Sequence, residues 1–143
     1  MKFSALLAPF ALFSSVALAV TTAYDPVYDN PNGSMASVAC SNGANGLITR
    51  GYNTFGALSN FPNIGGAQAV TGWNSPNCGT CWELTYTNST GVKKTINIVA
   101  LDVSTNGFVL SLKAMNTLTN NNAVQFGRVD VASRKVAASV CGL

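Results

Sequence analysis

Two cysteines, Cys78 and Cys81, stand close together in the stretch NSPNCGTCWEL at residues 74–84. This C-x-x-C spacing occurs in thioredoxin-type redox centres, in zinc knuckles and among ordinary disulfides. A redox pair usually begins a helix, but the residues after Cys81 alternate in polarity and favour a strand. A zinc site would need all four cysteines, because the chain has no histidine and no second close cysteine pair. We therefore interpret the cysteines as members of structural disulfides.

The first residues of the chain indicate its compartment. Lys2 precedes an apolar stretch over residues 3–16, and a small-x-small sequence ends at Ala19. This pattern predicts a secretory signal peptide at residues 1–19 that is cleaved after Ala19. A membrane anchor is the alternative, but the stretch is short, contains a proline and lacks basic stop-transfer residues. We therefore expect a secreted protein without a membrane span, with one domain at residues 20–143.

The cysteines Cys40, Cys78, Cys81 and Cys141 all follow the predicted cleavage point. An even number of cysteines in an oxidising compartment predicts two disulfides. Four cysteines allow three pairings, of which one joins Cys78 to Cys81 and two send these neighbours to distant partners. The residues alone leave the three pairings open.

Catalytic groups are few in this chain. Because histidine is absent, a Ser-His-Asp or Cys-His site cannot form. Acid–base chemistry therefore falls to five carboxylates, which are Asp25, Asp29, Glu83, Asp102 and Asp130. Asp102 ends an apolar run, where a carboxylate must be solvated or hydrogen-bonded. It either caps nearby backbone amides or accepts hydrogen bonds from sugar hydroxyls. An outward strand position and a turn are the ordinary interpretations of Glu83 and Asp25.

Aromatic side chains could supply apolar faces that stack on sugar rings. Trp73 lies in a turn-rich stretch rather than in a core strand, which favours partial exposure. Tyr24 and Tyr28 begin the predicted mature chain on one side of an extended segment, although core or edge packing is the commoner role. Trp82 adjoins Cys81, so we expect it to pack on a disulfide.

The predicted surface is nearly neutral and rich in Asn, Ser, Thr and Gly. Without Lys2 the chain has seven basic and five acidic residues. The basic doublets Lys93-Lys94 and Arg134-Lys135 are too few for a nucleic-acid footprint, and we interpret them as solvated turns and strand faces. Such a surface suits neutral polar ligands such as sugars. Asn32 and Asn88 begin Asn-x-Ser/Thr sequons and are glycosylation candidates.

The pattern of residues predicts a mainly β domain with one or two short helices. Strands are expected at 23–28, 37–40, 46–49, 68–71, 81–87, 93–103, 128–131 and 135–140. A helix is expected at 111–118 with Ser111 as its N-cap, and a weaker helical turn at 54–59. No linker or internal repeat divides the chain.

A set of short stretches stands in order along residues 20–143. They are YDP at 24–26, CSNGANGLITR at 40–50, GG at 65–66, GWNSPNCGTCW at 72–82, AMN at 114–116, GRVD at 127–130 and CGL at 141–143. With all four cysteines, this set closely resembles the cerato-platanins, which are small secreted fungal proteins. The resemblance implies a six-stranded double-ψ β-barrel related to that of expansins. It also implies that Cys40 pairs with Cys78 and Cys81 with Cys141.

The resemblance further implies that the protein binds chitin or N-acetylglucosamine oligomers. Loosening of polysaccharides such as cellulose, elicitation of plant defences through a host receptor and self-assembly are further properties that it implies. Asp102 resembles the groove aspartate shared with expansins, and Tyr24 and Asp25 resemble the start of the first barrel strand near that groove. A second hydrolase-type carboxylate has no match, so we expect no enzyme activity, and we expect no metal or cofactor.

The candidate carbohydrate-binding residues are Asp102, Tyr24, Asp25, Asn74, Trp73 and Glu83. Two other functions remain open. One is an interface-active structural protein of the fungal cell wall that behaves like a hydrophobin, since the apolar content is high and the charge is low. The other is a weak glycoside hydrolase that uses Asp102 with Glu83 or Asp25.

Overall fold

Six strands close into a barrel in residues 16–143, the part of the chain that this computed structural model describes. The strands are β1 (Leu18–Tyr24), β2 (Ile64–Ala67), β3 (Cys81–Thr87), β4 (Lys93–Val103), β5 (Phe108–Leu110) and β6 (Val129–Val136). Around the barrel they follow the order β1-β5-β2-β4-β3-β6. The mainly β, six-stranded barrel expected from the sequence is therefore confirmed. Most of the predicted signal peptide lies outside the described residues.

The first and last strands close the barrel. β1 pairs with β6 in antiparallel fashion, from Leu18 opposite Ser133 to Thr22 opposite Val129. β1 also runs parallel to β5, and β2 runs parallel to β4, while the remaining neighbours are antiparallel. The strand thus begins on the amino-terminal side of the predicted cleavage point after Ala19.

Two strands have the bounds that the sequence predicts. One has a clear alternation of polar and apolar residues, and the other has a continuous apolar run. β3 and β4 occupy 81–87 and 93–103, as expected. The middle of β4 is covered on both faces, and residues 98–101 are inaccessible to solvent. Large side chains with almost no exposure fill the interior, and they include Ile64, Leu84, Ile98, Leu101, Leu110, Met115 and Leu118. Burial of this apolar area is the main contribution to the stability of the barrel.

The shorter strand predictions are mostly wrong. Residues 37–40, 46–49 and 68–71 form bends and turns. Residues 23–28 contain the end of β1 and then a 3₁₀ turn at Pro26–Asp29, because Asp25 accepts a hydrogen bond from the amide of Val27 (3.0 Å) and turns the chain. The two strands expected at 128–131 and 135–140 are one strand, β6, followed by a 3₁₀ turn at Ala138–Cys141.

β2 was missed because its sequence, Ile-Gly-Gly-Ala, has low strand propensity. The glycines are required by close approach of neighbouring backbone. A side chain at Gly65 would collide with the carbonyl of Val109, and one at Gly66 would lie 2.6 Å from the carbonyl of Val103. The missing side chains thus let β2 fit between β4 and β5.

Two helices lie between β5 and β6. Helix α1 spans Leu112–Thr119 and has the expected N-cap, since the Ser111 hydroxyl accepts a hydrogen bond from the amide of Ala114 (3.0 Å). The carboxylate of Asp29 also accepts from the first two amides of α1, a favourable position for a negative charge. Helix α2 spans Ala123–Phe126 and was not predicted. The weak helical turn expected at 54–59 is a 3₁₀ turn at Phe55–Ala57.

Two disulfides tie loops and the chain end to the barrel. Cys40 is joined to Cys78, and Cys81 is joined to Cys141. This is the pairing that the resemblance implies. Cys78 and Cys81 are therefore neighbours that fix two different parts of the molecule, and no cysteine among the described residues is free.

Candidate functional site

Asp102 lies near the end of β4 and makes three hydrogen bonds within the protein. Its Oδ2 atom accepts from the Tyr28 hydroxyl at 2.7 Å. Its Oδ1 atom accepts from the backbone amides of Ala39 at 3.1 Å and Val103 at 2.9 Å. The side chain is half-buried. These contacts are the backbone capping that was one of the two interpretations of this residue.

The contacts also limit what Asp102 can offer a ligand. An ionised carboxylate has about four acceptor positions, and three of them are in use. Tyr28 itself is buried, and this burial, together with the adjacent Asp102 carboxylate, raises the pKa of its hydroxyl far above the ordinary value. The hydroxyl therefore remains a donor to Asp102 at any physiological pH. Ligand contact by Asp102 stays a prediction that must rely on the remaining acceptor position.

Trp73 presents an exposed aromatic face in a fixed orientation. Its side chain is 62% exposed. The indole Nε1 donates a hydrogen bond to Asn42 Oδ1 at 2.7 Å, and a ring atom lies against the backbone at Gly43. An exposed indole whose N–H is already bonded has little freedom to turn, so its apolar face is available to a flat partner.

Asn74 holds the Trp73 loop in place. It has a left-handed backbone conformation (φ 59°), which asparagine tolerates better than most residues. Its Oδ1 atom accepts from the amide of Asn45 at 2.8 Å, and its carbonyl accepts from Asn45 Nδ2 at 3.0 Å. The role visible in the structure is therefore to fix the loop beside Trp73.

One short segment links these residues. Ala39 donates to Asp102, whereas Asn42 and Asn45 hold the Trp73 loop. Since Ala39 and Asn42 are three residues apart, their Cα atoms are at most about 11 Å from each other. The Cys40–Cys78 disulfide joins the same two loops. We call this region the Trp73 surface, and it consists of Tyr28, Ala39–Asn45, Trp73, Asn74 and Asp102.

Tyr24 and Asp25 lie near the same region at the end of β1. Tyr24 is half-buried and its backbone pairs with that of Leu110 on β5. Asp25 is exposed, and its negative charge contributes to the raised pKa of Tyr28. Asp25 is thus close to Tyr28, while its carboxylate caps the turn that follows.

Glu83 is held apart from the other predicted residues by an ion pair. Arg134 on the adjacent strand donates to both carboxylate oxygens, with distances of 2.8 and 3.3 Å. These hydrogen bonds lower the pKa of Glu83. No hydrogen bond among residues 16–143 links Glu83 to the Trp73 surface. A carboxylic acid that must deliver a proton needs a raised pKa, so Glu83 is poorly suited to act as a general acid.

Sequence reasoning missed Asn42, Asn45 and the hydroxyl of Tyr28 as parts of this region. Asn42 and Asn45 lie in the CSNGANG stretch, whose glycines and asparagines indicate a turn. This turn signal does not indicate which part of the chain the loop contacts. The contact with Trp73 spans 31 residues of sequence and depends on the barrel and the disulfide.

A second concave region lies where β3 and β4 meet in a hairpin. A cavity of about 620 Å³ separates this hairpin from the carboxyl end of α1 and α2. A more open cavity of about 720 Å³ lies toward β6 and β1, and Tyr86 and Phe126 line both cavities. We call the two adjacent cavities together the basic groove, after their lining residues Lys93, Lys94 and Arg128. It contains none of the predicted carbohydrate-binding residues.

Among residues 16–143, no group of three or more metal-ligating side chains lies close enough to hold a metal ion. None of the helices in this part of the chain is both long and apolar enough to cross a bilayer.

The sequence has clear relatives. The sequence profile of the cerato-platanin family matches residues 20–143. A heat-stable 19 kDa antigen of Coccidioides immitis is 44% identical over 150 aligned positions, which cover 100% of this chain and 99% of the antigen. Cerato-platanin of Ceratocystis fimbriata f. sp. platani is 42% identical over 114 positions, which cover 80% of this chain and 79% of that protein.

Solved structures share the barrel. The crystal structure of cerato-platanin 2 from M. perniciosa superposes with a TM-score of 0.84 at 50% identity, over 88% of this chain and all of that one. The solution structure of the fungal elicitor cerato-platanin gives a TM-score of 0.71 at 40% identity, over 85% of this chain and 96% of that one. The names of these four proteins describe an antigen, cerato-platanins and an elicitor, and none of the four describes an enzyme.

Proposed function

The chain belongs to the cerato-platanin family, which confirms the resemblance drawn from its sequence, and from this premise we propose that it is a secreted, non-catalytic protein that binds chitin-type oligomers of N-acetylglucosamine. The observation that supports this proposal best is Trp73. Its aromatic face is exposed, its orientation is fixed by Asn42, and hydrogen-bonding groups lie around it.

The chemistry of the Trp73 surface fits an uncharged sugar. The apolar face of a sugar ring can stack on the indole, while hydroxyl and acetamido groups need hydrogen-bonding partners at the edge of the ring. Such partners are available in the neighbouring asparagines and in the remaining acceptor position of Asp102. A neutral ligand also requires no strong charge at the site.

Binding without hydrolysis is supported by the state of the carboxylates. Asp102 is engaged with two amides and a hydroxyl, and Glu83 is paired with Arg134. Asp25 caps a turn. A glycoside hydrolase generally needs one carboxyl with a raised pKa and a second facing it across the bond. Glu83, whose pKa is lowered by Arg134, is poorly suited to be the acid of such a pair.

The effects that follow from binding are part of the same proposal. Attachment to chains without cutting them loosens polysaccharide packing, as in expansins. The related protein that is named a fungal elicitor supports a role in plant defence, with a host receptor as partner. Cerato-platanins are secreted fungal proteins, and we propose the extracellular space and the cell wall as the location of this one.

The test is a titration of the purified secreted protein with chitohexaose, followed by NMR. We expect amide shifts in residues 39–45 and 72–76. In Trp73→Ala the affinity should fall about tenfold or more, as is common when a central tryptophan is removed from a binding surface. Phe126→Ala is the matched control, because Phe126 is also exposed but lies in the basic groove. Equal affinity in wild type and Trp73→Ala would contradict the proposal, and so would steady release of reducing ends.

Self-assembly at an interface is the second candidate function. It is favoured by apolar side chains that are more than half exposed outside the Trp73 surface, such as Val27, Val92 and Val124. These residues lie on separate elements, and single exposed apolar residues are common in monomers. Film formation at an air–water interface by a variant with all three changed to Ser would exclude them as its cause.

A further inference from the structure

The basic groove is far from the Trp73 surface. Lys94 and Asp102 are both on β4, eight residues apart. A strand rises about 3.3 Å per residue, so the two positions are separated by about 25 Å along the strand. A ligand in the basic groove would therefore not touch the residues discussed under the proposed function.

The basic groove has more positive than negative charge, and its two lysines have no ion-pair partner among residues 16–143. It contains three basic residues, Lys93, Lys94 and Arg128, and one acidic residue, Asp130. Both lysines are exposed. Among residues 16–143 the only ion pair joins Glu83 and Arg134. No carboxylate in that range is thus within ion-pair distance of Lys93 or Lys94.

The nearby end of α1 is capped in part by its own neighbours. The carbonyl of Asn116 accepts from the amides of Asn120 and Asn121. The carbonyl of Thr119 accepts from Asn122 Nδ2 at 3.0 Å. Two of the last-turn carbonyls thus have donors other than the lysines, and neither lysine is in an ion pair, so their ammonium groups are available to an anion from outside.

The groove has the length and the lining of an oligosaccharide site. It crosses the neighbouring strands β4, β3, β6 and β1, which at about 4.8 Å per strand gives about 14 Å along the sheet. Tyr86 and Phe126 lie in its middle with ring centroids 6.4 Å apart, and Phe126 is 42% exposed. Asparagine, serine and threonine side chains complete the walls.

We propose that the basic groove binds an acidic oligosaccharide, one whose sugar rings carry carboxylates. The ring faces lie against Phe126 and Tyr86, the hydroxyls bond to the amide and hydroxyl side chains, and the carboxylates face Lys93, Lys94 and Arg128. A nucleic acid would need a longer row of cations. A neutral sugar would leave the three basic residues without a role. The proposal is independent of the chitin-type ligand at the Trp73 surface.

The test is a titration with trigalacturonic acid, followed by NMR of the purified secreted protein. The protein used must carry no glycan on Asn88, which its intact mass verifies, because a glycan there would lie at the rim of the groove. We expect amide shifts in residues 86–94 and 117–130, with residues 39–45 unchanged. The affinity should fall as salt is raised, since exposed charges are screened.

A lysine pair outside the groove gives the matched control. In Lys93→Ala/Lys94→Ala the affinity should fall at least about fivefold, the combined size expected for two exposed charge contacts. Lys113→Ala/Lys135→Ala makes the same change in net charge at exposed positions elsewhere, and it should keep nearly the wild-type affinity. Equal losses in both variants would overturn the proposal, because they would show attraction by net charge alone.

The methyl ester of trigalacturonic acid separates charge from shape. It keeps the rings and removes the carboxylates, so its affinity should be much weaker than that of the acid. Equally tight binding of the ester, or shifts confined to residues 39–45 and 72–76, would overturn the proposal. Failure here leaves the chitohexaose result unaffected, since that ligand is tested through Trp73.

Discussion

The Trp73 surface and the basic groove differ in whether their charged side chains are bonded within the fold. At the Trp73 surface, Asp102, Asn74 and Asn42 all bond to other parts of the protein. In the basic groove, Lys93 and Lys94 have no ion-pair partner among the described residues. The first region therefore offers a ligand a fixed aromatic face, whereas the second offers two exposed charges without an ion-pair partner.

This difference shows why a single conspicuous residue in the sequence is a poor guide to a site. An acid at the end of an apolar strand stands out in sequence, yet its hydrogen bonds are largely made within the fold. Two adjacent lysines in a turn are ordinary in sequence, yet they line a cavity that also contains the exposed ring of Phe126. The number of hydrogen bonds that the fold leaves unmade matters more than the residue type.

The largest expected effect is loss of the disulfide that ties the Trp73 surface together. Cys40→Ser/Cys78→Ser removes a link across 38 residues, and we expect the free energy of unfolding to fall by about 4 kcal/mol. Binding of chitohexaose should weaken strongly, because only hydrogen bonds then hold Asn42 and the Trp73 loop together. Urea unfolding and the NMR titration, both at low temperature, measure these effects.

The other disulfide is the control. Cys81→Ser/Cys141→Ser opens a link across 60 residues and should cost a similar free energy. It does not join the loops of the Trp73 surface, so chitohexaose affinity should persist. Equal loss of affinity in both double variants would contradict the distinction between the two disulfides.

Asp102→Asn is expected to have the next largest effect. An amide cannot accept hydrogen bonds through both of its terminal atoms, so the bonds from Ala39 and Tyr28 cannot both be kept. We expect a loss of about 2–3 kcal/mol in the free energy of unfolding, in the upper range for hydrogen bonds to charged groups. Affinity for trigalacturonic acid should not change. A stable variant that loses only chitohexaose affinity would show that Asp102 acts chiefly on the ligand.

Tyr28→Phe should give the smallest of these changes, and it has a distinctive pH dependence. The pKa of Tyr28 is raised in the folded state, so its contribution is complete below the unfolded pKa of about 10 and is lost as the pH rises above that value. Removal of the hydroxyl should cost about 1.5 kcal/mol at pH 7. It should also make the stability fall less steeply above pH 10. An equal decrease in melting temperature between pH 8 and pH 11 in the wild type and in Tyr28→Phe would contradict this account.

The parts of the fold that were predicted correctly are those that local pattern determines. β3 and β4 have strong alternation or continuous apolar character, and Ser111 has the chemistry of an N-cap. β2 could not be found in this way, because Gly65 and Gly66 are selected by the approach of two neighbouring strands. The bend at 37–40 is held by a bond from the amide of Cys40 to the carbonyl of Leu101 on β4 and by the disulfide. The turn at 46–49 bonds back to residues 40–43 of the same loop.

For the candidate site, the sequence indicated Asp102 and the exposure of Trp73 but not their neighbours. The partners Tyr28, Asn42 and Arg134 are between 31 and 74 residues away from the groups that they bond. Contacts at such separations depend on barrel closure. The sequence does not show that Glu83 has a partner. Arg134, which lowers the pKa of Glu83, lies opposite it only once β3 and β6 are paired.

The pairing of the first strand with the last has a consequence for biosynthesis. Residues 18–22 bond to residues 129–133, so the barrel cannot close before residue 133 has been made. The Cys81–Cys141 bond likewise cannot form before Cys141 has been made. Contacts of such high sequence separation slow folding. The secretion that we propose for this protein would therefore begin while the chain is still unfolded.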